Sequence, residues 1–420
     1  MCANRREFLK ISLGAGLVGG AKPPFTEAPA AKRKAATVEE LNAAAAAPVL
    51  KLEALTSSVK IKSIELLEFD AADDDYYVLR VRSTDGAEGY SLPNSKTGDL
   101  LPILKNRVIP CFIGPDVRQL ETLLWDVYRY RDNYKFQSLA LWCPVAWVEF
   151  ALLDLFGKMM GKPMGSLLGE VLHREVPVYI AGGRELPPKQ EADTLARRAE
   201  AGGFRAVKFR IGGRMSNNAD AAPGRTEALI PSMRKVLGAK MALMADANGS
   251  YDPPKAIEVG RMLEDINALW YEEPCPFDHL EDTKTVADAL KVPISGGEQE
   301  SSDRRFRWMI ANRAVRIVQP DLHYYGGFVR SARVARMAAA AGSTVSIHLS
   351  GGLGYASMLQ FASWLPNPAP FQEYKGDIEK TGGWFDPPIR LRNGALTVPT
   401  APGLGMTALP DLLKGARKIL

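Results

Sequence analysis

Three short stretches decide the fold: Leu243-Met244-Ala245-Asp246-Ala247-Asn248, Leu269-Trp270-Tyr271-Glu272-Glu273-Pro274 and Pro293-Ile294-Ser295-Gly296-Gly297-Glu298. Asp246, Glu272 and Glu298 stand 26 residues apart; Asp321 follows 23 residues later, His348 after a further 27 and Glu373 after 25. Each of these residues closes a short apolar run, and a helix-compatible segment follows most of them. That is the pattern of successive βα units. Parallel strands need a crossover between them, and a unit of about 25 residues fits a βα barrel of ~200–250 residues. The C-terminal ends of such strands open on one face, so residues far apart in sequence meet there.

A single acid at a strand end is more often a helix cap or a solvated loop residue. Three at near-constant spacing, with Lys208 before them and Asp321 and His348 after, point to a site. Three converging carboxylates do not stay ionised without a neutralising charge. A hard divalent cation with oxygen ligands supplies one, and Mg²⁺ suits few carboxylates with positions open to substrate. Asp246, Glu272 and Glu298 are thus the expected metal ligands. In Phe204-Arg205-Ala206-Val207-Lys208-Phe209-Arg210-Ile211, strand alternation places Lys208 and Arg210 on one face. Two inward cations are costly unless they meet anions, here the metal carboxylates and a substrate carboxylate. Such a site labilises the proton on the carbon next to a bound carboxylate. His348, with an ordinary pKa of about 6.5, is the base best placed to take it. Asp321, one strand earlier, is expected to hold the second ring nitrogen. Glu373, one strand later, is expected opposite, as a hydrogen-bond donor or acceptor to the substrate carboxylate oxygen; to donate it must be protonated, which burial beside other anions would promote. His323, close to Asp321, is a further pocket candidate.

The 420 residues exceed one ordinary domain. Residues 1–62 carry ten Lys or Arg and five Glu, which accounts for the whole formal net charge of +5. The neutral body excludes nucleic acid as the expected partner. Asn4-Arg5-Arg6-Glu7-Phe8-Leu9-Lys10, followed by an apolar run over 11–20 too short to span a bilayer, reads as a twin-arginine export signal. The expected destination is the periplasm, or the cytoplasm without such export, and no stable membrane insertion is expected. The Ala- and Pro-rich stretch 21–57 reads as a cleaved or disordered linker, so 1–57 stands outside the fold. Residues 58–172 read as an α+β domain, with strands over 61–69, 76–82 and 88–92 and helices around 97–109, 116–130 and 144–161. The barrel takes 173–385, and 386–420 returns to the first domain. The loop 91–95 is either a plain turn or a reach over the active face, and 212–224 is a loop insertion on that face. Cys2, Cys111, Cys143 and Cys275 show no zinc or redox spacing; Cys2 lies in the expected signal, and the other three, an odd set, are expected to be buried free thiols.

These residues resemble the enolase superfamily, in its mandelate racemase-like subgroup. The resemblance spans about residues 58–420. Its carriers are Lys208-Phe209-Arg210, Asp246-Ala247-Asn248, Glu272-Glu273-Pro274, Gly296-Gly297-Glu298, Gln319-Pro320-Asp321 with Gly326-Gly327, Ser346-Ile347-His348-Leu349, and Glu373. It implies an α+β capping domain on a modified (β/α)7β TIM barrel. It also implies Mg²⁺ on Asp246, Glu272 and Glu298, with Glu273 outside that set, an Asp321–His348 dyad, Glu373 as electrophile and Asn248 near the substrate carboxylate. Enolase-superfamily sites pair a Lys or His base with Mg²⁺. One residue departs from the pattern. Where the racemases carry K-x-K, the second position is Arg210, and an arginine is a poor base.

That departure favours a one-base reaction. His348 takes the α-proton and its conjugate acid helps expel a β-hydroxyl, dehydrating a sugar acid to a 2-keto-3-deoxy acid. A racemase or epimerase, with Lys208 or a residue of 212–224 as second base, is the alternative. An exported binding protein without catalysis is the remaining one, and the complete set of ligands and dyad disfavours it. The expected partner is a small carboxylate, most simply a sugar acid, and a homo-oligomer is compatible with this architecture.

Overall fold

The computed structural model describes residues 36–72, 74–375 and 378–420. The twin-arginine pattern at Arg5 and Arg6 lies outside them. In the first region, β1 (Ile61–Ala71), β2 (Asp74–Ser83) and β3 (Glu88–Ser91) form an antiparallel meander, and β2 and β3 pack against helix Leu139–Met160. That helix is long and apolar enough to cross a bilayer, but it is buried inside the protein and is the core of this region. It starts at Leu139, earlier than the expected 144, and carries Pro144 inside it at the cost of one intrahelical N–H bond.

The barrel strands are β4 (Glu175–Ala181), β5 (Ala206–Arg210), β6 (Ala242–Asp246), β7 (Trp270–Glu272), β8 (Ile294–Gly296), β9 (Ile317–Val318), β10 (Thr344–Val345) and β11 (Gln372–Glu373). β4 to β10 pair in parallel in chain order. β11 closes the ring onto β4, with Glu373 opposite Tyr179. Its other side meets β10 through the loop before it, Val345 N–H donating to Asn367 O at 2.9 Å and Ala369 N–H to Val345 O at 2.8 Å. The Gln372 amide completes the seam, accepting from Ile347 N–H and donating to Val345 O. A helix follows each of β4 to β10, from Pro188–Gly202 to Gly354–Trp364, which is the expected (β/α)7β order. Every residue of β6 is buried, as a strand covered on both sides must be.

After the barrel, β12 (Leu391–Arg392) and β13 (Ala395–Thr397) form a hairpin that pairs antiparallel with the start of β4, and β14 (Arg417–Lys418) pairs with β1. The expectation of an unstructured linker is corrected over 36–57. Val38–Ala46 is a helix, started by a reciprocal cap between Thr37 and Glu40. Its alanine run, read as low complexity, is made of the best helix former. Leu41 is fully buried, and Arg336 donates to Ala47 O and Arg307 to Asn42 Oδ1, fastening the segment to the outside of the barrel. Cys111, Cys143 and Cys275 are free thiols; Cys143 and Cys275 are buried, Cys111 half-buried.

Two buried acids on helix Leu139–Met160 join the regions. Asp154 accepts from Tyr90 N–H on β3 and from Leu404 N–H in the tail, both at 2.7 Å, and pairs with Lys158. Glu149 accepts from Val329 N–H at 3.0 Å, in the first turn of helix Phe328–Ala340. Gly327 (φ +105°) sits so close to that carboxyl that a Cβ there would lie 2.3 Å from it. Burial outweighs these N–H donors and pushes the Glu149 pKa up to about 8. The folded chain therefore keeps a proton that the unfolded chain has already lost, and stability falls as pH rises from about 5 to 8. Glu149→Gln keeps the acceptor and removes the titration. Thermal unfolding from pH 5 to 8 should show a flatter pH dependence in the variant; an unchanged slope would assign it elsewhere.

Candidate active site

Alternation along the barrel strands builds the site in layers. Tyr179, Ala206, Met244, Trp270, Ile317 and Phe371 form an apolar cluster of their own inside the ring, separate from the larger core outside it. Two residues further along, the same inward face presents Lys208, Asp246, Glu272, Gln319 and Glu373. The register sets Arg210, Asp246 and Glu272 level, and pairs Lys208 with Met244 below them, from where its side chain reaches the acids. The floor is therefore dry and the layer above it charged.

Lys208 is 1% exposed at the centre of that layer. Its Nζ lies 2.6 Å from Glu272 Oε1, 3.4 Å from Glu373 Oε1 and 3.7 Å from Asp246 Oδ2. Burial opposes its charge, but Glu272 and Glu373 outweigh burial and hold its pKa well above the usual lysine range. Arg210 donates from Nη1 to Asn248 Oδ1 at 2.6 Å, stands 3.3 Å from Asp246 Oδ2 and donates from Nε to Gly182 O. Asn248 (φ +43°) occupies a left-handed turn that asparagine tolerates, and its N–H returns to Asp246 Oδ1 at 2.9 Å. Glu272 also accepts from Gln319 Nε2 at 2.8 Å. Burial, opposed by Lys208 and reinforced by Asp246, Glu298 and Glu373, pushes Glu272 up to about 7. Burial and its acidic neighbours push the Glu273 pKa well above the usual carboxylate range, against a smaller opposing pull from Lys208.

Across the ring, His348 Nδ1 and Asp321 Oδ2 are 2.7 Å apart, as the sequence led us to expect. Asp321 Oδ1 accepts from the N–H groups of His323 and Tyr324, which fixes its orientation. The free ring nitrogen, Nε2, lies 3.3 Å from Glu298 Oε2, 3.9 Å from Glu373 Oε2 and 3.3 Å from Lys375 Nζ. Burial disfavours the imidazolium, but Glu298, Glu373 and the bond to Asp321 outweigh it and raise the His348 pKa above its ordinary value. Glu373 is open to either role by sequence. Burial favours its neutral form, yet Lys208, Lys375 and His348 surround it and hold it ionised, so it accepts rather than donates.

The expected three-acid cage is not assembled as placed: among the described residues no group of three or more His, Cys, Asp or Glu converges as metal ligands. The reason is visible in the partners. Lys208 stands between Asp246 and Glu272, while Glu298 is turned to His348 and to Gln299 Nε2 at 2.9 Å. Asp246 Oδ2 and Glu373 Oε1 are buried without a hydrogen-bond donor.

Both loops flagged in the sequence meet this face. Asn94 donates from Nδ2 to Ser350 Oγ at 2.9 Å, bringing the 91–95 loop against the residue next but one to His348. The 212–224 insertion is tied down by Met215 N–H to Asn248 O and Asn218 N–H to Ser250 O. His323 joins the interface rather than the pocket: it is buried edge-on against Phe150, with Nε2 3.3 Å from Leu92 O. Sequence reading missed Arg184, which donates to the carbonyls of Ile211, Gly212 and Asp246 and carries no signal in its surroundings. It also missed Lys375, which does. Lys375 follows Glu373 by two, the spacing that joined Lys208 to Arg210.

The family described as enolase C-terminal domain-like matches residues 190–412. The chain is 30% identical to an arabinonate dehydratase of Saccharolobus solfataricus, over 78% of this chain and 86% of that protein. It is 29% identical to a D-galactarolactone cycloisomerase of Agrobacterium fabrum, over 72% of this chain and 80% of that one. A solved mandelate racemase/muconate lactonizing protein from Paracoccus denitrificans, complexed with magnesium, is 27% identical with a TM-score of 0.77, covering 86% of this chain and 99% of that one.

Removing the central ammonium should expose the charge balance. Lys208→Met removes the ammonium beside Glu272 and Glu373, so the folded pKa of Glu272, already above the unfolded one, rises further and that of Glu373 moves up toward it, and stability is retained at low pH and lost as pH rises. Urea unfolding in chelator should show a loss of ~3–5 kcal/mol at pH 8 and a smaller loss at pH 5. An equal loss at both would mean that the lysine acts only by packing.

Proposed function

We propose that this chain, which belongs to the mandelate racemase-like branch of the enolase superfamily, dehydrates a sugar acid to a 2-keto-3-deoxy acid. The observation that carries the reading is that one base, not two, faces the pocket. His348 Nδ1 is committed to Asp321, which leaves Nε2, with Glu298 and Lys375 each 3.3 Å away, as the ring atom for proton transfer. Arg210, at the second position of the lysine pair, stays charged and is bound to Asn248 and Asp246. Lys208 is held protonated by Glu272 and Glu373, so it is a poor second base for inverting a stereocentre. The sugar-acid dehydratases among the chain's relatives support the same choice.

The donor set fits a hard cation. Asp246, Glu272 and Glu298 offer carboxylate oxygens on adjacent strands. Asp246 Oδ2 is buried without a hydrogen bond, and Glu272 is pushed up to about 7 because burial and the neighbouring acids exceed what Lys208 relieves. Mg²⁺ held there would supply Lewis acidity to the substrate carboxylate. The chain's own groups do the rest. Lys208 and Arg210 hold that carboxylate, with Asn248 beside it. His348 takes the α-proton at Nε2, and Asp321 fixes its tautomer. Ionised Glu373 steadies Lys208 and the imidazolium. The capping loop at Asn94 and the 212–224 insertion line the opening, where specificity among acids is set.

With Mg²⁺, a panel of D-arabinonate, galactarate, D-gluconate and D-mannonate should yield a 2-keto-3-deoxy acid, detected as its semicarbazone, from at least one member. His348→Asn should lower that turnover by ~10²–10⁴-fold or more. Inversion at C2 without keto acid would overturn the reading in favour of an epimerase.

The leader Arg5-Arg6 supports export to the periplasm through the twin-arginine route. Residues 1–35 fused to a folded reporter should direct it out of the cytoplasm, and Arg5→Lys with Arg6→Lys should retain it. Export that persists in cells lacking that translocase would exclude the route.

A further inference from the structure

Lys375 is the one cation in contact with the free ring nitrogen of His348 among the described residues. Its Nζ lies 3.3 Å from His348 Nε2 and 3.2 Å from Glu373 Oε1, and donates to Leu349 O at 2.7 Å. The side chain is 29% exposed, so it borders the opening rather than the packed floor, where Lys208 is 1% exposed. An ion pair with Glu373 alone does not account for this placement. Glu373 already has Lys208 at 3.4 Å and the Leu349 N–H at 2.9 Å. Lys375 instead reaches past the carboxylate to a nitrogen that, in the neutral ring, is the atom that must accept the α-proton.

We propose that Lys375, and not the conjugate acid of His348, is the general acid that expels the β-hydroxyl; this rests on the dehydratase reading above. His348 Nε2 takes the proton from Cα. The electron pair of the broken Cα–H bond becomes the Cα=Cβ bond, and the Cβ–O bond breaks. Hydroxide is a poor leaving group, so Lys375 Nζ–H gives its proton to that oxygen and water departs. The enol left behind becomes the 2-keto acid by losing its O–H proton and gaining one at Cβ, with no net change. The proton held at Nε2 then crosses the 3.3 Å gap to the neutral amine, and both groups return to their starting states. Base and acid sit side by side, so hydrogen and hydroxyl leave from the same face of the substrate.

The test separates the two half-reactions. Wild type, Lys375→Met, Lys375→Arg and His348→Asn are incubated in D₂O with Mg²⁺ and each of D-arabinonate, galactarate, D-gluconate and D-mannonate. Deuterium at C2 and keto acid are both followed by NMR. Lys375→Met should lose dehydration by ~10²–10⁴-fold, the usual size of a general-acid contribution, while its C2 exchange stays within a few fold of wild type. Lys375→Arg keeps the ion pair with Glu373 and hence the fold, but an arginine is a poor proton donor, so it should show the same split. A 3-deoxy-3-fluoro analogue, whose fluoride leaves without a proton, should be turned over by both variants at near wild-type rate. Unimpaired dehydration in either variant overturns the assignment. So does a parallel fall of exchange and dehydration that arginine repairs, which would make Lys375 structural. Wild type that neither exchanges nor dehydrates any of the four, with His348→Asn indistinguishable from it, overturns the dehydratase reading itself.

Discussion

Everything at this barrel's mouth answers to one constraint, the burial of several carboxylates in a ring only a few residues across. Asp246, Glu272 and Glu373 are all completely buried. The 2.6 Å contact of Lys208 with Glu272 is worth roughly 6 kcal/mol at an effective dielectric of about 20. Desolvating the two ions costs several kcal/mol each. The two nearly cancel, so the cluster adds little to the stability of the fold. A barrel that only had to stand could fill the layer with apolar side chains, as it does one layer below with Met244 and Trp270. The charge is kept where chemistry needs it, and the rest of the site is arranged to make it tolerable. Arg210 and Lys208 face Asp246, Gln319 donates to Glu272, and Lys375 and His348 flank Glu373.

The scaffold explains how so many charges can be held in register. Parallel strands fix the level of each inward residue through backbone bonds, so Asp246 and Glu272 do not depend on side-chain packing for their height. The inserted loops then lock from above. Met215 and Asn218 bond to the backbone just beyond Asp246, and Asn94 of the first region bonds to Ser350 beside the dyad. Through Ser350, which lies 3.4 Å from Asp321 Oδ1, the capping loop is physically continuous with the carboxylate that orients His348. The pocket is thus framed by the barrel and by the first region.

Much of this was legible in the chain. Even spacing of Asp246, Glu272, Glu298, Asp321, His348 and Glu373 yields the barrel, and strand alternation yields the pairing of Lys208 with Arg210. What remained hidden had physical reasons. Orientation within a site depends on who neutralises whom. The sequence placed Glu373 among anions, but three cations hold it ionised. Glu298 reads as a metal ligand by spacing, yet as placed it faces His348. The stretch 36–57 looked featureless because alanine repeats carry no amphipathic signal, although Leu41 and the Thr37–Glu40 cap suffice to dock it. Lys375 was readable by the same period of two that located Arg210.

The two acids on helix Leu139–Met160 also govern how the chain can reach its native state. Their partners lie far downstream: Glu149 waits for Val329, 180 residues later, and Asp154 for Leu404, 250 residues later. The final strand at Arg417 pairs with β1, near the start. None of these links can form until at least 180 more residues have followed Glu149. This long apolar helix therefore emerges from the ribosome well before the surface that covers it. Contacts of such long sequence separation make folding slow, and an uncovered helix of this kind is what holdase chaperones bind.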